Sequence, residues 1–260
     1  MIINGKVYHG NVTIKNGRII SENSKDISLS TKEIDEIKKE PSNDVNTVYI
    51  NSDINVKLSA CNTNDIIAHL HGSAITDSVF NFSMTRFGED VQISVKLERT
   101  SISCENCGEM FISSGSSFVI NQLSIGDING LTLDIQIPGK VFKKLSIESK
   151  NADIDVDSSV YASDIYINSK NGDVDTSAIF QILNIDCKNG NITVDSEAHC
   201  NVGLEVISKN GNVDVTIRNL NNSKVSVDSK NGRCKNKPNL NGVHTAVGYL
   251  SSKNGNVKFH

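Results

Sequence analysis

The chain has 260 residues, with 26 lysines and arginines against 30 acidic residues, a formal net charge of −4, 37% hydrophobic residues, only 5% aromatic ones and no tryptophan. A weakly acidic chain without a basic stripe interleaved with aromatics is not built for general nucleic-acid binding. No apolar run approaches the ~18 residues that span a bilayer, so no transmembrane segment is expected.

The opening Met1-Ile2-Ile3-Asn4-Gly5-Lys6 lacks the apolar stretch of an export signal. As it stands the sequence reads as cytoplasmic, with an envelope-associated or surface location as the alternative. Residues 1–21 read as an N-terminal β-hairpin segment, Val12-Thr13-Ile14 facing Arg18-Ile19-Ile20 across Asn16-Gly17. Residues 22–46 are polar and read as a linker; within them Ser30 to Glu40 is charged nearly all round and ends at Pro41, which suits a linker or a short exposed helix. Residues 47–143 carry strand after strand, among them Val48-Tyr49-Ile50, Ile54 to Leu58, Ile66 to Leu70, Val91 to Leu97 and Leu131 to Ile137. This block is expected to be either a β-rich cap or a set of irregular early coils.

From residue 144 to 260 one phrase returns: Ser169-Lys170-Asn171-Gly172, Ser208-Lys209-Asn210-Gly211, Ser229-Lys230-Asn231-Gly232 and Ser252-Lys253-Asn254-Gly255, with the variants Ser149-Lys150-Asn151-Ala152 and Cys187-Lys188-Asn189-Gly190. The lysines are spaced by 20, 18, 21, 21 and 23 residues, a period that marks stacked repeats. Five and three residues before each lysine the side chain is mostly apolar, as in Leu145 and Ile147 or Ile165 and Ile167, and the alternation resumes four and six residues after it, as in Ile154 and Val156. Each repeat is therefore two short strands joined at Lys-Asn-Gly. Asn-Gly also suits a two-residue hairpin turn. A third apolar position about ten residues on (Val160, Phe180, Ala198, Leu240, and Leu220 at eleven) favours a coil with three inward sides instead. The expectation is an all-β, single-stranded parallel β-solenoid of about 20 residues per coil with an N-terminal β-rich cap. In it Asn151, Asn171, Asn189, Asn210, Asn231 and Asn254 stack beside Gly172, Gly190, Gly211, Gly232 and Gly255 at the turns.

Leu131-Thr132-Leu133-Asp134-Ile135-Gln136-Ile137-Pro138, followed by Leu145-Ser146-Ile147-Glu148-Ser149-Lys150-Asn151, resembles the bacterial putative-adhesin family DUF4097, a domain of unknown function. Its members run from L-x-L-x-I-x-I-P into repeated S-x-N-G-x-I/V coils. Ile3-Asn4-Gly5-Lys6 and Ile14-Lys15-Asn16-Gly17 also resemble the leader of relatives of that family. The resemblance covers roughly Val48 to His260. It implies a β-solenoid-like fold and a non-enzymatic surface or envelope role, and it carries over no catalytic residue.

Several constellations invite chemistry. Cys104-Glu105-Asn106-Cys107 is a lone C-x-x-C, and zinc needs a second ligand pair. Cys61, Cys187, Cys200, Cys234, His71 and His199 do not repeat the spacing. Cys187 and Cys234 fall at inward positions and read as small buried hydrophobes. Asp153, Asp155 and Asp157 share an outward face, with Asp173 and Asp175 one coil above; they suit a solvated face better than a calcium loop. His69 and His71 share a strand face as two solvent-facing polar residues. Arg233 to Gly248 is the one stretch that could interrupt the coils with a cleft. No catalytic residue, metal or cofactor is expected.

The most specific surface feature is the column Lys150, Lys170, Lys188, Lys209, Lys230 and Lys253, a stripe for an unknown protein or an anionic cell-envelope component. The reading is a non-enzymatic, adhesin-like or scaffold binding protein. The alternatives are an intracellular regulatory or envelope-stress binding module and a carbohydrate-active β-helix enzyme. The final coil, with no capping element after it, is expected to pair with another copy or to lie under the loop from Lys235 to Gly248.

Overall fold

A computed structural model describes residues 31–74, 78–98 and 130–260 in full and, elsewhere, the backbone of the strands named here. The described residues form strands and no helix. The first are β1 (Ile2–Ile3), β2 (Lys6–Val7), β3 (Val12–Lys15), β4 (Arg18–Ser21), β5 (Ser24–Ser28) and β6 (Thr31–Pro41). Next come β7 (Thr47–Ser52), β8 (Asn55–Cys61), β9 (Asp65–Ile75), β10 (Val79–Phe87), β11 (Asp90–Cys104), β12 (Gly108–Ser113) and β13 (Gly130–Pro138). The repeats supply β14 (Val141–Ser149), β15 (Ile154–Val156), β16 (Tyr161–Asn171), β17 (Val174–Thr176), β18 (Ile179–Asn189) and β19 (Ile192–Glu197). They end with β20 (Val202–Asn210), β21 (Val213–Arg218), β22 (Leu220–Ser229), β23 (Cys234–Asn236), β24 (His244–Ser252) and β25 (Val257–Phe259).

The two strands that flank each Lys-Asn-Gly turn do not form a hairpin. The strand before the turn lies in one large sheet and the strand after it in a second, and each pairs in parallel with its counterpart in a neighbouring repeat. Asn-Gly here turns a corner between sheets. The register keeps like residues in columns: Val48, Leu145, Ile165, Leu183 and Leu204 stack, as do Ile50, Ile147, Ile167, Ile185, Val206 and Leu250. All of these are buried. Each such side chain contributes about 1.5–3 kcal/mol on leaving water, so a repeat with four or five of them stabilises its two neighbours as well as itself. Val160, Phe180, Ala198 and Leu220 close the third side and are buried too. Leu240 breaks the expectation: it is 47% exposed, because its repeat is outermost and nothing described packs beyond it.

Residues 47–61 are a layer of the same stack. β7 pairs with β14 and β8 with β15, with Ser52 level with Ser149 and Val56 level with Ile154. β11 and β13 form another layer on the far side of β7 and β8. The stack is thus not built in chain order. Numbered along the chain, its layers run second, first, third, fourth, fifth, sixth, eighth, seventh, because β7/β8 sits inside β11/β13 at one end and β24/β25 sits inside β22/β23 at the other. The last strands therefore have both edges paired within the chain. This corrects the expectation that the final coil stands at the end of the stack, to be covered by another copy or by the loop from Lys235 to Gly248; the edges at that end belong to β22 and β23.

At the opposite end the parallel stack gives way to antiparallel strands. β10 pairs with β11, β9 with β13 and β6 with β9. Ser30 to Glu40 is thus mostly the strand β6, an edge strand of eleven residues rather than a linker or helix. The open edge of β9 supplies its hydrogen bonds, Ile34 packs on the core, and the remaining charges suit a strand whose outer edge must not recruit another chain. Val45, in the expected linker, is fully buried. Backbone pairing of β3 with β4 sets Lys15 opposite Arg18.

Candidate functional site: a row of lysines beside two grooves

The corner that carries the lysines is held by three side-chain columns. In the first, each asparagine donates its amide N–H to the next: Asn171 to Asn151 (2.7 Å), Asn189 to Asn171 (2.7 Å), Asn210 to Asn189 (2.6 Å), Asn254 to Asn210 (2.7 Å) and Asn231 to Asn254 (2.7 Å). The second consists of the small residues before each lysine: Ser208, Ser252 and Ser229 donate to the carbonyls of Gly190, Gly211 and Gly255 at 3.0, 2.7 and 2.6 Å. A buried carbonyl without such a donor would cost about 1–3 kcal/mol. The turn glycines stack so closely that a Cβ on Gly190 would lie 2.0 Å from the Gly172 carbonyl oxygen. All three columns follow the spatial order, with the Lys253 repeat between those of Lys209 and Lys230.

The third column is one that sequence reasoning missed. Three residues after each lysine, a side-chain oxygen accepts the backbone N–H of the next layer: Asp153 from Asp173 (2.8 Å), Asp173 from Asn191 (2.7 Å), Asn191 from Asn212 (3.0 Å), Asn212 from Asn256 (2.9 Å) and Asn256 from Arg233 (3.0 Å). The signal is present in the repeats, since this position is Asp or Asn in every one except Arg233. Arg233 lies in the outermost layer, where no further N–H needs an acceptor.

These bonds also settle the carboxylates. Asp153 and Asp173 are occupied by backbone amides, and Ser159 holds the Asp157 carboxyl below its usual range by hydrogen bonding. Asp155 sits across from Lys57. Asp175 is pushed upward, first by burial and then by Asp155 and Asp195 beside it. His69 and His71 do share a face, their rings 4.6 Å apart, and the sheet brings carboxylates that spacing did not reveal: Asp35 to His69 Nε2 (2.6 Å) and Asp134 to His71 Nε2 (2.8 Å). Among the described residues no three metal-ligating side chains are arranged to hold an ion. The Arg233 to Gly248 stretch forms β23 and then returns to Leu220, where Gly242 N–H donates to the Leu220 carbonyl at 2.6 Å.

The cysteines divide. Cys104 and Cys107 lie outside the residues whose side chains are described. Cys187 is buried in the small-residue column, and burial pushes its thiol up to about 11. Cys234 occupies the backbone position of a core column, level with Val257, yet is exposed, because its layer ends the stack. That corrects its assignment as a buried residue. Alkylation of the folded protein near neutral pH is expected to modify Cys234 and spare Cys187, since the thiolate is the reactive form. Site-resolved mass spectrometry checks this, and faster loss of Cys187 would overturn the assignment.

The six lysines occupy one level of the stack in the spatial order Lys150, Lys170, Lys188, Lys209, Lys253, Lys230. Neighbours are ~4.8 Å apart along the backbone. Lys150 is half-buried and the others are exposed. Among the described residues none of the six forms an ion pair. The level continues through Asp53 to Lys96, because Ser52 pairs with both Ser149 and Val95. Two residues before each lysine a second row runs alongside: Asn51, Glu148, Asn168, Asp186, Ile207, Ser251 and Asp228. A groove of ≈ 400 Å³ lies between the two rows, with Lys96, Asp53, Lys150 and Lys170 on one wall and Asn51, Glu148 and Asn168 on the other. A second groove of ≈ 440 Å³ lies on the far side of the Glu148 row and is bounded by Lys144, Tyr166, Asn184 and Glu205. Lys144 Nζ stands 4.8 Å from the Tyr166 ring centre and 5.6 Å from that of Tyr49.

No family model and no curated protein matches the sequence. Among solved structures the chain is similar to a putative cell adhesion protein from Clostridium sporogenes, at 11% identity and a TM-score of 0.53, over 88% of this chain and 99% of that one. It is also similar to a putative adhesin from Bacteroides fragilis at 13% identity and a TM-score of 0.40, over 89% and 99% of the two chains. At such identity the likeness is one of architecture: the chain shares the fold of the Clostridium sporogenes protein.

Proposed function

We propose that the chain is a non-enzymatic, adhesin-type binding protein, a parallel β-solenoid of the DUF4097 kind whose lysine row contacts an anionic component of the cell envelope. The observation that carries this reading is the row itself: six ammonium groups at one level of a rigid stack, with no carboxylate partner among the described residues. At ~4.8 Å such charges repel by something under about 1 kcal/mol per pair in water, so an anion laid along the row relieves a strain that the fold sustains. The fold shared with the putative cell adhesion protein of Clostridium sporogenes supports the class. The non-enzymatic part is supported by Asp153, Asp157 and Asp173, the acids densest in the sequence, which are spent on backbone amides. No helix among the described residues is long and apolar enough to cross a membrane.

The test is retention on isolated bacterial envelope material. Replacing all six lysines with glutamine is expected to abolish salt-sensitive retention while leaving the thermal melt near that of the parent, since exposed side chains contribute little to stability. Equal retention by the substituted protein would refute the reading.

A further inference from the structure

We infer that the ligand of this face is a linear, carboxylate-bearing polysaccharide lying along the stack axis in the groove between the lysine row and the Glu148 row. The inference rests on the proposed binding role and specifies its partner. Its basis is that the groove is chemically two-sided. One wall presents ammonium groups (Lys96, Lys150, Lys170), interrupted by Asp53, whose carboxylate accepts the Leu97 N–H, and the other presents amides and a carboxylate (Asn51, Asn168, Glu148). Beyond the groove the same division continues for one more layer, with Lys188 on one side and Asp186 on the other, before Ile207 ends the polar row beside Lys209. The two rows are two residues apart on the same strands, or ~6.8 Å.

A polymer that carries acid groups all round, such as polyphosphate or a nucleic acid, would meet the lysines but also press its charge against Glu148 and Asp186. A polyuronate divides its chemistry as the groove does. Each sugar carries one carboxylate on one edge, to face an ammonium group, and hydroxyls elsewhere that donate to Glu148 and Asp186 and bond with Asn51 and Asn168. The ~4.8 Å rise between layers presents a fresh pair of walls at about the length of one sugar ring; because successive uronates turn about the chain axis, every second or third carboxylate faces the lysines, and the match repeats at that interval. A planar membrane surface fits less well, because the cations form a single file flanked by acids.

The experiment uses the full chain and three soluble probes: polygalacturonate, neutral dextran and polyphosphate. The parent protein is expected to bind polygalacturonate and not dextran. Lys150→Gln with Lys170→Gln should weaken polygalacturonate binding roughly tenfold, the loss of two modest ion pairs. The deciding variant is Glu148→Ala with Asp186→Ala. It should weaken polygalacturonate binding and strengthen polyphosphate binding, because one ligand loses acceptors and the other loses repulsion. If that variant binds both polyanions more tightly, or if the parent prefers polyphosphate, the face is a plain cation row and the inference is overturned, while retention on envelope material still supports the broader reading. If neither polyanion binds although envelope retention needs the lysines, the polysaccharide assignment alone fails. Melting curves of each variant confirm that the fold is intact.

Discussion

Removing Val257–His260 is expected to lower the melting midpoint by roughly 10–20 °C, corresponding to about 5 kcal/mol in a chain of this size. Val257 and Phe259 are fully buried, and their loss alone accounts for most of that figure. The rest comes from position. β25 lies between β21 and β23, so its removal leaves both neighbours with an unpaired edge, facing each other across a gap one strand wide. Lys258 also bonds Asp214 at 2.9 Å, and Asn256 would lose the backbone support that now links Asn212 to Arg233. The matched control is Cys234→Ala in the outermost strand, whose side chain is exposed; it should shift stability by no more than about 0.5 kcal/mol. Hydrogen exchange should show protection lost from β22 and β23 as well as from the truncated layer. A melting point unchanged by the truncation would mean that β25 is not an inner strand.

Ile167→Asp should unfold the repeat region at room temperature or leave it at least about 4 kcal/mol less stable. Ile167 is 2% exposed and stacked between Ile147 and Ile185 in the centre of the first sheet. No cation lies on that column to pair with a carboxylate, so the new group must either take up a proton or break the layer. Circular dichroism and thermal melting read the outcome. The neighbouring change Asn168→Asp, outward on the same strand between Glu148 and Asp186, is the control and should cost no more than about 1–2 kcal/mol of screened repulsion. Similar melts for the two variants would mean that the inward and outward faces have been exchanged.

The inward columns were legible because burial on three sides leaves its period in the chain: Leu145 and Ile147, then Ile154 and Val156, then Val160. The order of the layers was not. Every repeat offers the same asparagine beside a small Ser or Cys at nearly the same turn, so the chemistry that joins two layers does not say which two. The clue lies in departures from the pattern. Arg233 replaces an acceptor, while Cys234 and Asn236 stand where other repeats have large apolar residues, all marks of a layer with only one neighbour. β6 was illegible for another reason: its charges mask the alternation, and its strand geometry is imposed by the edge of β9 rather than by its own residues. For the site, the lysine row could be read directly, whereas Asp53 and Lys96 extend it only through pairing between segments far apart in sequence. The grooves that give the row its two-sided character exist only once those segments meet.

The late placement of β24 and β25 also has a bearing on biosynthesis. As the chain is made, β22 and β23 emerge before the pair that will separate them from β20 and β21. Until that pair arrives, β22 has no parallel partner, and whatever early contact it makes with β20 must be undone to admit β24. This end of the molecule is thus a keystone arch: its outer stones are cut first, but they bear load only when the pair made after them drops between them. Exposed strand edges in such a waiting state are the ones most open to pairing with another nascent chain, and the basic Arg233, Lys235 and Lys237 on the outer edge are placed where they repel a second copy during that interval.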